Sequence, residues 1–163
     1  MTGFFLRIYT DELRTYIRNS TLLEERIDAF YHGDPAFVPV EWAWEGLLFL
    51  LTGEGLDDDP KGGLAKIFNS ERIIDEEQDL AGYGPARYVN PEEVLSISKE
   101  LSTLDRDELY DRYDPDLMEE KGIYPLGWAE GIMIDEVLGF FDNLKDFFAA
   151  AAREEEAVIF YII

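Results

Sequence analysis

From Trp128 to Ile163 the chain reads as a long amphipathic helix running straight into a strand with no polar alternation. Few folds can take such a pair. Val137, Phe141, Leu144, Phe148 and Ala151 recur at helical spacing, and Phe140 and Phe147 widen the stripe beside them. Asp135, Asp142, Asn143, Lys145 and Asp146 fall mostly on the other side and can stay solvated. After the charged break Arg153-Glu154-Glu155-Glu156 comes Val158-Ile159-Phe160-Tyr161-Ile162-Ile163, β-branched and aromatic at every position. Such a run predicts a strand covered on both faces. It needs partners in a sheet and layers above and below, and the rest of the chain must supply them.

Candidates for those partners lie along the sequence. Gly3 to Tyr9 predicts a first strand with Phe4, Leu6 and Ile8 on one face. A helix start at Thr10-Asp11-Glu12 carries Leu13, Tyr16 and Ile17, with acids favourable to the helix dipole in its first turn. Thr21 followed by Glu24 has the spacing of a capping box opening a second helix with Leu23, Ile27 and Phe30. Val38-Pro39-Val40 reads as extended. Glu41 to Gly53 predicts a helix apolar almost all round, stopped by Gly53. Leu64 to Phe68 fits a short helix or strand, Glu71 to Ile74 a short strand, and Ala86 to Val89 another strand. Asn90-Pro91-Glu92-Glu93 is the clearest helix start, with Asn as N-cap and Pro at the first helical position. Helices follow over Leu104 to Tyr113 and after Asp114-Pro115. No repeat, low-complexity tract or linker interrupts. The expectation is one α+β domain over residues 1–163: a small mixed sheet built from both termini and the middle of the chain, packed by several helices including the long C-terminal one.

A hydrophobic fraction of 47% in 163 residues is enough for a real core without staples. Cysteine is absent and His32 is the only histidine. Disulfides, thiolate or histidine-rich metal sites and a cysteine nucleophile are thereby excluded, and no cofactor or metal is expected. Asp57-Asp58-Asp59 and Asp114-Pro115-Asp116 lack the glycine and distal glutamate of an EF-hand loop. There is no nucleophile elbow, phosphate-binding loop or dinucleotide fingerprint, and His32 has no triad signature around it. The N-terminus lacks a basic flank and long apolar core, and no apolar run is long enough to span a bilayer, so a cytoplasmic location is expected.

Charge is the extreme property. Thirty-six acids against fourteen Lys and Arg give a formal net charge of −22. Such a surface repels phosphate backbones and anionic lipid, which argues against nucleic-acid and membrane partners. It attracts a basic protein, or simply keeps the chain soluble; the sequence leaves both open. The candidate surface for a basic partner is Asp105, Asp107, Glu108, Asp111, Asp114, Asp116, Glu119 and Glu120, with Asp57-Asp58-Asp59 and Asp75-Glu76-Glu77 as secondary runs. The competing candidate is a pocket of Trp44, Tyr83, Arg87, Tyr88, Tyr124 and Trp128. There aromatic walls and the fixed fork of an arginine would suit a small anionic ligand. Packing in the core, with Arg87 paired to an acid, is the plainer account of the same residues.

At these residues the chain resembles the YfbM-like bacterial proteins, a domain of unknown function. The resemblance rests on W-x-x-L-x-x-L-L-T-G from Trp44 to Gly53, Y-G-P-A-R-Y from Tyr83 to Tyr88, Asn90-Pro91-Glu92-Glu93-Val94, and Ile123-Tyr124-Pro125 with Trp128. It covers nearly the whole chain and implies a cytoplasmic α+β domain without an established activity. Leu48 stands where the family commonly has histidine. Genes for similar proteins lie near toxin genes, which implies an immunity role. The resulting expectation is a non-enzymatic acidic protein that neutralises a basic partner such as a bacterial toxin. The alternative is a small-molecule binder or enzyme with an aromatic and arginine pocket. The sequence sets no oligomeric state.

Overall fold

The computed structural model describes residues 1–30, 33–131 and 134–163, and His32 lies outside them. Four strands form one sheet: β1 Gly3–Ile8, β2 Phe37–Glu41, β3 Arg87–Val89 and β4 Ala157–Ile162, in the order β2-β1-β4-β3. Every pairing is antiparallel, where the sequence predicts a mixed sheet. Periodicity shows which residues share a face but carries no sign of strand direction. The two ends of the chain do meet at its centre, with Phe5 opposite Phe160 and Leu6 opposite Ile159. Ala157 through Tyr161 are all buried, as expected of a strand covered on both faces.

Each face has its own layer. Phe5, Val158 and Phe160 look into the larger cluster, under α3 (Trp44–Thr52), α4 (Pro91–Ser102) and α7 (Ile134–Arg153). The predicted stripe Val137, Phe141, Leu144, Phe148 is buried there without residual exposure. Leu6, Ile8, Ile159 and Tyr161 look the other way, toward Leu13 and Tyr16 of α1 (Thr10–Arg18), Leu23 of α2 (Thr21–Asp28), and Ile74 and Leu80. Ile17, predicted on the inner face of α1, is 42% exposed because so short a helix turns only one narrow edge to the sheet.

Local chemistry sets several helix starts. The Asn90 side chain accepts from the Glu93 N–H, and Glu93 accepts from the Asn90 N–H, a complete capping box. Glu93 also accepts from Lys66 and Arg72, which ties the α4 start to the segment before β3. Burial pulls its carboxyl upward, but these hydrogen bonds from Asn90, Lys66 and Arg72 together hold it below the usual range. Elsewhere tertiary contacts prevail. Ser20, not Thr21, is the N-cap of α2, and its hydroxyl donates to Asp75 at 2.7 Å instead of capping the helix. Glu41 ends β2, so α3 begins only at Trp44; Gly53 closes it at φ +80, a conformation that favours glycine. Residues Gly63–Ile67 form a 3-10 helix, and the strand expected at Glu71 to Ile74 is reduced to a bridge between Ile73 and Arg87. The last two helices before α7 are α5 (Arg106–Asp111) and α6 (Pro115–Glu120). No helix among the described residues is long and apolar enough to cross a membrane.

Candidate functional site

The site lies where β3 is too short to accompany β4. In an antiparallel pair, successive residues turn their N–H and C=O alternately to one neighbour and the other. Thr2 and Ile163 exchange both main-chain bonds at 2.7 and 3.0 Å, so Ile163, Tyr161 and Ile159 serve β1, while Ile162, Phe160 and Val158 face the β3 side. Arg87 takes Phe160 and Val89 takes Val158. The residue due opposite Ile162 is Pro85, which has no N–H, and Gly84 before it turns the chain away at φ +84. No hydrogen bond among the described residues reaches the Ile162 N–H or C=O.

Beside this open main chain is a cleft of about 300 Å³. Trp44, at the start of α3, and Phe68 and Phe160 give it aromatic walls, and Tyr83 stands at it 48% exposed. Arg87 reaches in from β3. One guanidinium nitrogen donates to the Ser70 carbonyl at 2.6 Å, and no carboxylate among the described residues forms an ion pair with the group. Asp59 and Asn69 complete the polar lining. The Asp59 carboxyl is held below its ordinary range mainly by the hydrogen bond from Lys61 and then that from Asn69, with the positive charge of Arg87 adding to them. The indole N–H of Trp44 is buried with no hydrogen-bond partner. An unanswered buried donor costs on the order of 1–3 kcal/mol.

The predicted pocket residues therefore divide. Trp44, Tyr83 and Arg87 come together. Tyr88 alternates to the opposite face of β3 and packs in the smaller cluster. Tyr124 stacks on Trp44 with ring centres 6.0 Å apart but does not line the cleft, and its N–H donates to Glu45 at 2.9 Å. Trp128 is 1% exposed, its N–H donating to the Ile123 carbonyl at 2.8 Å; it is a core residue. Asn69 and Ile162 carry no site signal in the sequence, and Asp59 stands there only as part of an acidic run. Pro85, a residue unable to continue a ladder, was the one available signal for the open edge.

A family model described as a domain of unknown function, DUF1877, matches residues 1–161. The chain belongs to the DUF1877 family. A solved structure of a protein of unknown function from Escherichia coli, YfbM, superposes with a TM-score of 0.76 over 100% of both chains at 16% identity, which shows a shared fold. No curated protein matches the chain.

For this DUF1877 chain the motif from Trp44 to Gly53 is mostly structural. Leu48 is fully buried in the larger cluster. Gly46 is the contact point of α3 with Trp128: a Cβ there would lie 2.6 Å from the indole ring. Buried Glu45 accepts from the Leu56 N–H and the Tyr124 N–H, both at 2.9 Å, so it joins two loops to α3.

The acidic candidates divide as well. Asp105 and Glu108 form the capping box of α5, and Asp114 caps α6. Glu119 accepts from the Gly127 and Trp128 N–H groups at 2.8 and 2.9 Å. Asp107, Asp111, Asp116 and Glu120 are exposed and engage no partner among the described residues. In the secondary runs, Asp58 pairs with Lys121 at 2.9 Å and Asp75 accepts from Ser20 and the Glu77 N–H. Arg112 donates to the Leu50 and Leu51 carbonyls at the end of α3, so it serves the fold rather than offsetting this face.

Proposed function

We propose that this protein is a binding protein whose site is the Trp44–Arg87 cleft and whose ligand is a small anionic molecule. The carrying observation is that Arg87 presents its guanidinium in an aromatic-walled cleft with no carboxylate among the described residues bound to it, in a chain with thirty-six acids. An arginine fork left open beside ring faces suits a planar anion such as a carboxylate. The volume is at the lower end of the usual range for small-ligand pockets, about 300–1,000 Å³. Among the described lining residues, Tyr83 and Asp59 are the other side chains there able to exchange a proton, since Tyr161 turns its ring into the smaller cluster, so binding is favoured over catalysis. The test is a thermal-shift screen of small carboxylates and phosphates. A ligand that raises the melting temperature of the wild type but not of an Arg87→Met variant supports the reading. A screen in which nothing shifts the wild type counts against it.

A second reading, binding of a basic protein in the cytoplasm as a toxin-neutralising immunity protein would, is favoured by the exposed, unengaged carboxylates Asp107, Asp111, Asp116 and Glu120. Tyr110, 55% exposed on the same helix as Asp107 and Asp111, adds an aromatic of the kind enriched at interfaces. Capture of a basic partner at low salt, with an association rate that falls as salt rises and on replacing these four by Asn or Gln, supports it. An association rate flat in salt removes the steering role.

A further inference from the structure

Resting on the cleft reading, we propose that the ligand carries a main-chain amide next to a free carboxylate, as in a peptide C-terminus or an N-acyl amino acid, and binds by extending the β3 lane along β4. A small anion needs only Arg87. The structure offers more than that: the N–H and C=O of Ile162 both point into the lane that the chain abandons at Pro85. One residue in extended conformation satisfies both groups at once, accepting from one and donating to the other, as in any antiparallel pair.

Register fixes the orientation. β3 runs antiparallel to β4 with Arg87 opposite Phe160, so an occupant pairing with Ile162 in the same sense has its C-terminal end directed toward Ala86 and Arg87. Its carboxylate then approaches the guanidinium, whose bond to Ser70 uses only one nitrogen. Side-chain alternation places Ile162, Phe160 and Arg87 on one face of the sheet, so the ligand residue opposite Ile162 projects toward the same face, among Trp44 and Phe68. An apolar or aromatic side chain suits those walls. Ala86 occupies the lane at the ligand's C-terminal end, so the cleft takes a chain terminus and not an internal segment, and its volume lodges one or two residues.

The test uses the full chain and four probes: N-acetyl-glycyl-phenylalanine, its C-terminal amide, 3-phenylpropanoate, and a nonapeptide ending in Gly-Phe. Calorimetry gives affinities, and the Ile162 amide is followed by NMR. The free acid is expected to bind at least tenfold more tightly than the amide and than 3-phenylpropanoate, and to shift and protect the Ile162 N–H. Arg87→Gln is expected to remove the preference for acid over amide; if that variant does not fold, the acid and amide pair on the wild type still decides. A nonapeptide that binds at least as tightly as the dipeptide assigns a protein C-terminus, and weaker binding assigns a small N-acyl amino acid. If 3-phenylpropanoate binds as tightly as the dipeptide acid and leaves Ile162 unmoved, strand extension is overturned while the cleft remains an anion site. If acid and amide bind equally, the carboxylate assignment is overturned. If no probe binds at millimolar concentration, and the small-anion screen is also blank, both readings fail together.

Discussion

Trp128 and Trp44 are both buried indoles at the start of α3, yet their surroundings are opposites. Both N–H groups of Trp128 are answered. Its indole N–H has the Ile123 carbonyl, its main-chain N–H has Glu119, and its ring rests on the bare Cα of Gly46. Around Trp44 groups are left open: its own N–H, the main chain of Ile162, and most of the Arg87 guanidinium. Residue type therefore does not separate packing from binding here. What separates them is whether the protein satisfies its own donors, because an unanswered buried donor is costly and is retained only where something offsets it. The comparison makes a simple demand on mutants: changes on the Trp128 side should cost stability, and changes at the mouth of the cleft should not.

The largest effect belongs to the core layer that supports both sites. Phe141→Ala removes a fully buried ring between α7 and the sheet and is expected to cost about 3–5 kcal/mol, read from the denaturant midpoint. An unchanged midpoint would mean that α7 does not press that face on the core. Next is Gly46→Ala. The added methyl meets the Trp128 ring, which is wedged in the core and is not the free end of a flexible chain. Overpacking of this kind costs about 1–3 kcal/mol, and Ala's better helix propensity offsets only part of it. A stabilised variant would show that Trp128 moves freely, and the contrast between the two indoles would weaken.

Glu93→Gln comes third and has a pH signature. The carboxylate caps α4 and receives Lys66 and Arg72, so neutral-pH destabilisation of about 1–2 kcal/mol is expected, in the range for hydrogen bonds to charged groups with partial exposure. Its folded-state pKa is depressed. The ionised form is thus favoured by folding, and its contribution is complete above the ordinary unfolded value of about 4.3. It is lost as pH falls through the lower folded value. The gap between wild type and variant should therefore close on acidification, and a gap that widens would contradict a folded-state role for the ionised carboxylate.

These contacts also show how far the sequence could be read. The α4 start was legible because Asn90, Pro91 and Glu93 are sufficient within four residues. The tail was legible because its apolar spacing is long and regular. The Thr21–Glu24 box failed because a distant Asp75 engages Ser20, and the Glu71 to Ile74 strand shrinks to the Ile73–Arg87 bridge, flanked by the bonds from Ile74 to Ala86 and from Tyr88 to Arg72. Three residues of the cleft could be named in advance, since Trp44, Tyr83 and Arg87 have side chains suited to ligands. Ile162 could not be. It contributes its main chain, and an unpaired peptide group leaves no mark in a residue's identity.

The smallest effect on stability, and the sharpest test of the contrast, is Tyr83→Ala. The ring is nearly half exposed, its main-chain N–H donates to the Leu80 carbonyl, and no hydrogen bond among the described residues holds the hydroxyl. Alanine keeps the main-chain bond, so the melting temperature should hold and the change in stability should stay within ~0.5 kcal/mol, as for surface positions free of special contacts. Binding is a separate matter. If Tyr83 closes the side of the cleft over the ligand, removing it exposes the carboxylate–Arg87 pair to water and weakens a charge-assisted bond without touching the fold. Affinity for the Gly-Phe acid is expected to fall several-fold while the acid-over-amide preference shrinks but persists. A variant that loses stability by more than ~1 kcal/mol would place Tyr83 with Trp128 among the packing residues, beyond what a surface change allows. A variant with unchanged stability and unchanged affinity would leave the cleft with one wall fewer, and the ligand would have to be held by Arg87 and the open edge of β4 alone.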